Sequence, residues 1–178
     1  NNLPIRHTDT KNKQRQMQVN NSPHESFTKS IKAAKRFISY RPRSESEIRE
    51  KLLIKFSPDL VERTIDLLKS QNTINDSLFA KFWVEKHTNS TLRSSSFIKA
   101  ELKKKGLETE IIDAATEQID DQHVAYICAL KAVKNFHSDQ HQVFINKILR
   151  SLIYRGFDYS LSAKIAEELW KENAETIA

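Results

Sequence analysis

Glycine occurs only twice in this chain of 178 residues, and Gly106 and Gly156 stand fifty residues apart in matching surroundings. Each follows a cation, Lys105 or Arg155, at the end of an apolar-periodic stretch, and each precedes a bulky apolar residue, Leu107 or Phe157. That is the chemistry of a helix end: glycine enters the left-handed region cheaply, the cation offsets the negative helix pole, and the next side chain folds back onto the last turn. Such scarcity also excludes whole classes of protein. A P-loop or a dinucleotide fingerprint needs several glycines at short spacing. With two glycines and four prolines, a turn-rich all-β chain is equally excluded.

Two matched punctuation marks call for a search for repeats. A step of fifty aligns Ile48, Ile98 and Ile148, then Leu52, Leu102 and Leu152, then Lys55, Lys105 and Arg155. Beyond the glycine it aligns Val61, Ile111 and Leu161, then Ile65, Ala115 and Ile165. On this frame Phe56 occupies the glycine position of the first copy, and because phenylalanine enters the left-handed region only at a cost, that copy should bend differently. The frame predicts an all-α protein of three tandem three-helix repeats over residues 25–71, 72–120 and 121–173. A mobile polar tail over 1–24 and a short tail over 174–178 flank them.

Local signals fill in the helices. Phe27, Ile31, Ala34 and Ile38 recur at helical spacing before Arg41-Pro42. Ser44 and Glu47 form a capping box, and Ser57-Pro58-Asp59 and Asn75-Asp76 open further helices. Phe79, Phe82 and Trp83 mark the next helix, followed by helices over about 94–105 and 108–118. In the last copy Ala125, Ala129, Ala132 and Phe136 line one helix, Phe144, Ile148 and Leu152 a second, and Leu161, Ile165 and Leu169 a third that opens at Asp158. A unit of about fifty residues buries little core alone, so the copies should stack into an elongated, curved array that suits a long partner surface.

The chain carries a formal charge of +6, and the cations concentrate in the first copy, where residues 26–70 hold eleven Lys and Arg against six Asp and Glu. The cations of the second helices, Arg41, Arg43, Arg49 and Lys55, then Lys99, Lys103, Lys104 and Lys105, then Lys147, Arg150 and Arg155, form one stripe if the copies stack. Such a stripe suits phosphates or an acidic protein face, with Glu45, Glu47 and Glu50 interrupting it. The second and third helices of each copy also resemble a helix–turn–helix. No catalytic or cofactor constellation emerges. His137 and His141 lack a third metal ligand, Cys128 sits on an inward face as an inert thiol, and Asp120-Asp121 and Glu167-Glu168 read as solvated pairs. A single cysteine fits a reducing cytoplasm, and no apolar run approaches the roughly 20 residues that span a bilayer.

Four segments carry a family resemblance. They are Tyr40-Arg41-Pro42-Arg43-Ser44 with Glu47-Ile48 and Leu52; Ile74-Asn75-Asp76 with Phe79-Ala80; Ile98, Leu102 and Lys105-Gly106; and Leu152 with Tyr154-Arg155-Gly156-Phe157. In this order and spacing, over about residues 27–171, the chain resembles the RecX regulatory proteins. The resemblance implies a non-enzymatic protein that binds the RecA recombinase filament on single-stranded DNA, lodges in its groove, inhibits strand exchange and ATP hydrolysis, and also binds DNA directly. Single-stranded and also double-stranded DNA are the expected nucleic-acid partners, and a monomer is the expected state. The chain departs from the family pattern in lacking glycine at Phe56, within Gln71-Asn72-Thr73 and near Arg93, which bears on how those turns are made.

Overall fold

The computed structural model describes residues 22–134, 136 and 140–177. Among these the chain forms nine helices and no strand: α1 Pro23–Ile38, α2 Glu45–Leu53, α3 Pro58–Ser70, α4 Asp76–Asn89, α5 Ser95–Lys104, α6 Thr109–Thr116, α7 Asp121–Val133, α8 His141–Ile153 and α9 Tyr159–Ile177. The caps explain most of the starts. The Ser44 hydroxyl accepts the Glu47 N–H while the Glu47 carboxylate accepts the Ser44 N–H, and Asn75, Ser94 and Asp120 each accept the amide three residues on. Ser57 caps α3 by position alone, with Pro58 at the first helical residue and no side-chain bond. Helix α1 begins at Pro23, so Pro23 and His24 belong to the first copy and not to a tail, and α9 continues to Ile177 beyond the predicted end of the third copy.

The helices pack within triplets, α1–α3, α4–α6 and α7–α9, each around its own apolar cluster. Ile48, Ile98 and Ile148 are fully buried, and Leu52, Leu102 and Leu152 lie beneath them. Removing side chains of this size from water stabilises each unit by about 1.5–3 kcal/mol per residue.

Past the glycine joint the fifty-residue frame needs correcting. The caps of the third helices are Ser57, Glu108 and Asp158, so the first interval is 51 residues and the second 50. The true equivalents are therefore Val61, Ile112 and Ser162, all buried, and Thr64, Ala115 and Ile165. Phe56 does not stand at the glycine position. It matches Leu107 and Phe157, and the first copy lacks the glycine altogether. The helix ends differ accordingly. Leu107 and Phe157 donate to Leu102 and Leu152 at 3.3 Å across a six-residue turn whose glycine has φ +77° or +90°. Phe56 donates to Leu52 at 3.0 Å across five residues, with no left-handed residue.

The two remaining family glycines are replaced by residues that adopt the left-handed conformation anyway. Asn72, at φ 52°, ends α3 as Gly106 ends α5, with Thr73 donating to Leu68 at 2.8 Å. Asparagine tolerates this region because its short amide bonds locally. Leu92 adopts φ 51° with no such help, and its side chain is buried in the core of the third copy. Burial of leucine offsets a backbone cost of about 1–2 kcal/mol.

Candidate functional site

What joins one copy to the next recurs. Ser44 Oγ donates to the Lys105 carbonyl at 2.7 Å, and Ser94 N–H donates to the Arg155 carbonyl at 3.1 Å. The start of α2 therefore sits on the end of α5, and the start of α5 on the end of α8, so the second helices run head to tail with opposite helix poles meeting. A second clamp repeats as well: Asp76 accepts the Glu45 N–H at 2.8 Å, and Asp121 accepts the Ser95 N–H at 2.7 Å and its hydroxyl at 2.6 Å. Partial burial raises the Asp76 carboxyl above its ordinary range against the opposing bond from Glu45.

These joints account for the glycines. A Cβ on Gly106 would lie 2.5 Å from Ser46 Cβ, and one on Gly156 would lie 2.7 Å from Ser94 Oγ and 2.9 Å from Phe97 Cβ. Glycine stands where the preceding copy presses against the helix end. Among the described residues no further copy packs against the corresponding end of α2, and there the glycine is missing.

Five of the eleven cations predicted to form the stripe are engaged by side chains or carbonyls of the array itself, Lys105 across the first joint and the others within their own copy. Arg41 binds Glu47 through two bonds, at 2.7 and 3.1 Å. Arg43 stacks on Phe37 at 3.9 Å and lies 3.9 Å from Glu47. Arg49 bridges Glu45 at 2.8 Å and Glu62 at 2.9 Å, which raises its already high pKa. Lys105 is 17% exposed, reaches Glu47 at 3.2 Å from the second copy and covers the Trp83 ring at 4.3 Å. Arg155 donates to the Ser151 carbonyl and hydroxyl at 2.9 Å. Glu47 is the hub. Partial burial alone would raise its carboxyl, but bonds from Arg41, the Ser44 N–H and Lys105 outweigh burial and hold it at about 2.

The other six face solvent. Lys55, Lys103, Lys147 and Arg150 are exposed without a carboxylate partner among the described residues, and Lys147 lies 5.3 Å from the Phe136 ring. Lys99 pairs with Asp113 at 2.6 Å and Lys104 with Glu101 at 3.3 Å. Exposed apolar residues flank them at matching places, Leu53 and Ile54 at the end of α2 and Ile153 and Tyr154 at the end of α8.

Other candidates resolve more simply. His137 and Asp139 lie outside the described residues, and His141 bonds Glu167 at 3.1 Å. No group of three metal-ligating side chains occurs among the described residues, and none of their helices is long and apolar enough to cross a membrane. Burial pushes the Cys128 thiol above its ordinary range. Asp120 and Asp121 are not a solvated pair: the first caps α7 and the second clamps α5. The repeated pairs Asn75-Asp76 and Asp120-Asp121 are the sequence signal that carries this joint.

Comparison with known proteins agrees with this architecture. The family models for the first and second three-helix domains of RecX match residues 32–68 and 75–115. The Regulatory protein RecX of Clostridioides difficile is 29% identical over 149 residues, which cover 82% of this chain and 70% of that protein. Its counterpart in Listeria monocytogenes is 31% identical over 148 residues, 81% of this chain and 55% of that protein. The crystal structure of RecX from Lactobacillus salivarius superposes with a TM-score of 0.70 at 27% identity, covering 82% of this chain and 97% of that one. Triplet architecture, recurrent joints and matched sequence point the same way: the chain belongs to the RecX family of regulatory proteins.

Proposed function

We propose that this protein modulates the RecA recombinase, lodging its row of helices in the groove of the RecA filament on DNA and restraining strand exchange and ATP hydrolysis. It does so by binding, without chemistry of its own, in the cytoplasm and as a monomer. What supports this reading beyond family membership is the head-to-tail run of α8, α5 and α2, which carries Lys55, Lys99, Lys103, Lys104, Lys147 and Arg150 on its solvent side. A polymer of regularly spaced acidic sites is the partner such a row fits. The apolar residues beside the cations, Leu53, Ile54, Ile153 and Tyr154, supply contacts that a bare phosphate chain would not require. A bound array alters filament activity only if it prefers one filament geometry over another, so inhibition requires contacts spanning adjacent RecA subunits.

The test is RecA-dependent ATP hydrolysis on single-stranded DNA with the protein added at stoichiometric amounts. The reading expects a lower rate; an unchanged rate refutes it. Charge reversal at Lys55, Lys103 and Arg150 together examines the row without touching the joints, whereas Arg43 and Arg49 are packed and paired. Binding of DNA alone is the competing reading that the unpaired cations also favour. It predicts that log affinity for single strands falls with log salt by about 0.7 per phosphate contacted. A flat salt dependence rejects it.

A further inference from the structure

The two joints share a backbone plan and differ in how their charges are paired. At the first, Glu47 gathers Arg41, Arg43 and Lys105, and the tilted rings of Trp83 and His87 pack in the space beside them, with centroids 4.7 Å apart. The matching residues of the second joint follow from its caps and clamps. Arg93 stands for Arg43, Arg155 for Lys105 and Lys131 for Lys86, but Phe97 stands for Glu47, Cys128 for Trp83 and Ala132 for His87. The second joint thus has Thr91 where the first has Arg41, loses the carboxylate while keeping Arg93, Arg155 and Lys131, and exchanges two ring systems for a thiol and a methyl group.

A cavity of about 390 Å³ opens in that space, and Arg93, Lys131 and Arg155 line it together with Ser90, Thr91 and Tyr154. Existing bonds orient the two arginines. Arg93 donates to the Tyr154 carbonyl at 2.7 Å and stacks 5.0 Å from the Tyr154 ring, while Arg155 is held by Ser151. None of the three cations has a carboxylate partner among the described residues. Burial raises the Cys128 thiol on the cavity wall, while Arg155, Lys131 and Arg93 all act in the opposite sense, so three positive fields converge there.

We propose that this cavity between the second and third copies binds a phosphate group, which supplies from outside the negative charge that Glu47 supplies at the first joint. Two guanidinium forks and an ammonium match the oxygens of a phosphate. The group comes either from a small phosphate ester or from a nucleic-acid backbone. In both cases it ties the third copy to the second, because Arg93 belongs to one and Lys131 and Arg155 to the other. The site is separate from the outward row of cations and does not depend on RecA.

Inorganic pyrophosphate is the probe, read by calorimetric titration and by the rate at which a thiol reagent modifies Cys128, the only cysteine of the chain. Saturable binding that slows Cys128 modification is expected. Lys131→Gln, at an exposed position, should weaken it about tenfold or more, since hydrogen bonds to charged groups contribute about 1.5–3 kcal/mol. Phe97→Glu, which restores the internal carboxylate, should abolish it, and Lys103→Gln on the outward row should leave it unchanged. Displacement of pyrophosphate by a thymidine oligonucleotide assigns the phosphate to a nucleic-acid backbone; failure to displace assigns it to a small ester. No saturable binding to the native chain, or equal binding by folded Lys131→Gln and Phe97→Glu variants, overturns the proposal.

Discussion

Replacing Gly106 by alanine should uncouple the first copy from the second, and a second substitution should undo much of the damage. The backbone at Gly106 sits at φ +77°, where an L side chain costs about 1–2 kcal/mol. The added methyl would also lie 2.5 Å from Ser46 Cβ and 2.6 Å from its Oγ, so the copies must move apart. That movement stretches the bond from Ser44 to the Lys105 carbonyl and the bond from Glu45 to Asp76, each worth about 0.5–1.5 kcal/mol or more where charge is involved. The two contributions together put the single variant about 2–5 kcal/mol below the native chain. Ser46→Gly removes the colliding atoms and leaves only Ser46 Cα, at an ordinary 4.0 Å. The double variant should then retain only the backbone cost and the helix penalty of a new glycine in α2, the latter about 0.5–1 kcal/mol.

The assay is urea unfolding followed through Trp83, which Lys105 covers at this joint, in a Trp170→Phe background so that no other indole contributes. The double variant should be less destabilised than the sum of the singles by at least about 1 kcal/mol, well outside the 0.3–0.5 kcal/mol within which independent sites add. Additivity within that margin would refute the argument that Gly106 is there for the neighbouring copy. It would leave its left-handed backbone as the whole reason for glycine.

The hub residue makes the first joint sensitive to acid. Glu47 titrates at about 2 in the folded chain against 4.5 ordinarily, so its contribution, about 3 kcal/mol at most, is present above pH 4.5 and is lost as pH falls toward 2. Glu47→Gln should flatten that part of the stability curve, measured by thermal melts across the range. At the left-handed turns, Asn72→Ala should lower stability by about 1 kcal/mol, because alanine lacks the amide that makes this conformation tolerable. Leu92→Gly should also destabilise, since the lost burial of about 1.5–3 kcal/mol exceeds the relieved strain; a gain in melting temperature would show that burial in the third core counts for less than the backbone cost. Asp121→Asn, which keeps the shape and removes the charge, should loosen the second joint and speed modification of Cys128.

Much of the fold is legible because helices announce themselves locally. Ser44 with Glu47 forms the capping box its spacing predicts, and Ile48, Ile98 and Ile148 fall in the cores that their periodicity requires. The error at Val61, Ile111 and Leu161 has an equally local cause. A missing glycine shifts the frame by one, and periodicity over one short helix does not distinguish neighbouring faces of half-buried residues. The cationic row was legible only as composition. Lys55 and Arg49 look alike in sequence, yet one faces solvent and the other is held by Glu45 and Glu62, because ion pairing depends on which helix lies opposite.

The sequence alone therefore determined the all-α class, the repeat of three-helix units and most of the helix starts, since caps and apolar spacing act within a few residues of one another. Only the tertiary structure decided what the two glycines are for and which cations remain free to meet a partner. Those answers rest on contacts some 60 residues apart in the chain, such as Ser44 with Lys105 and Ser96 with Gly156, where steric exclusion and charge pairing act through space and leave no local pattern.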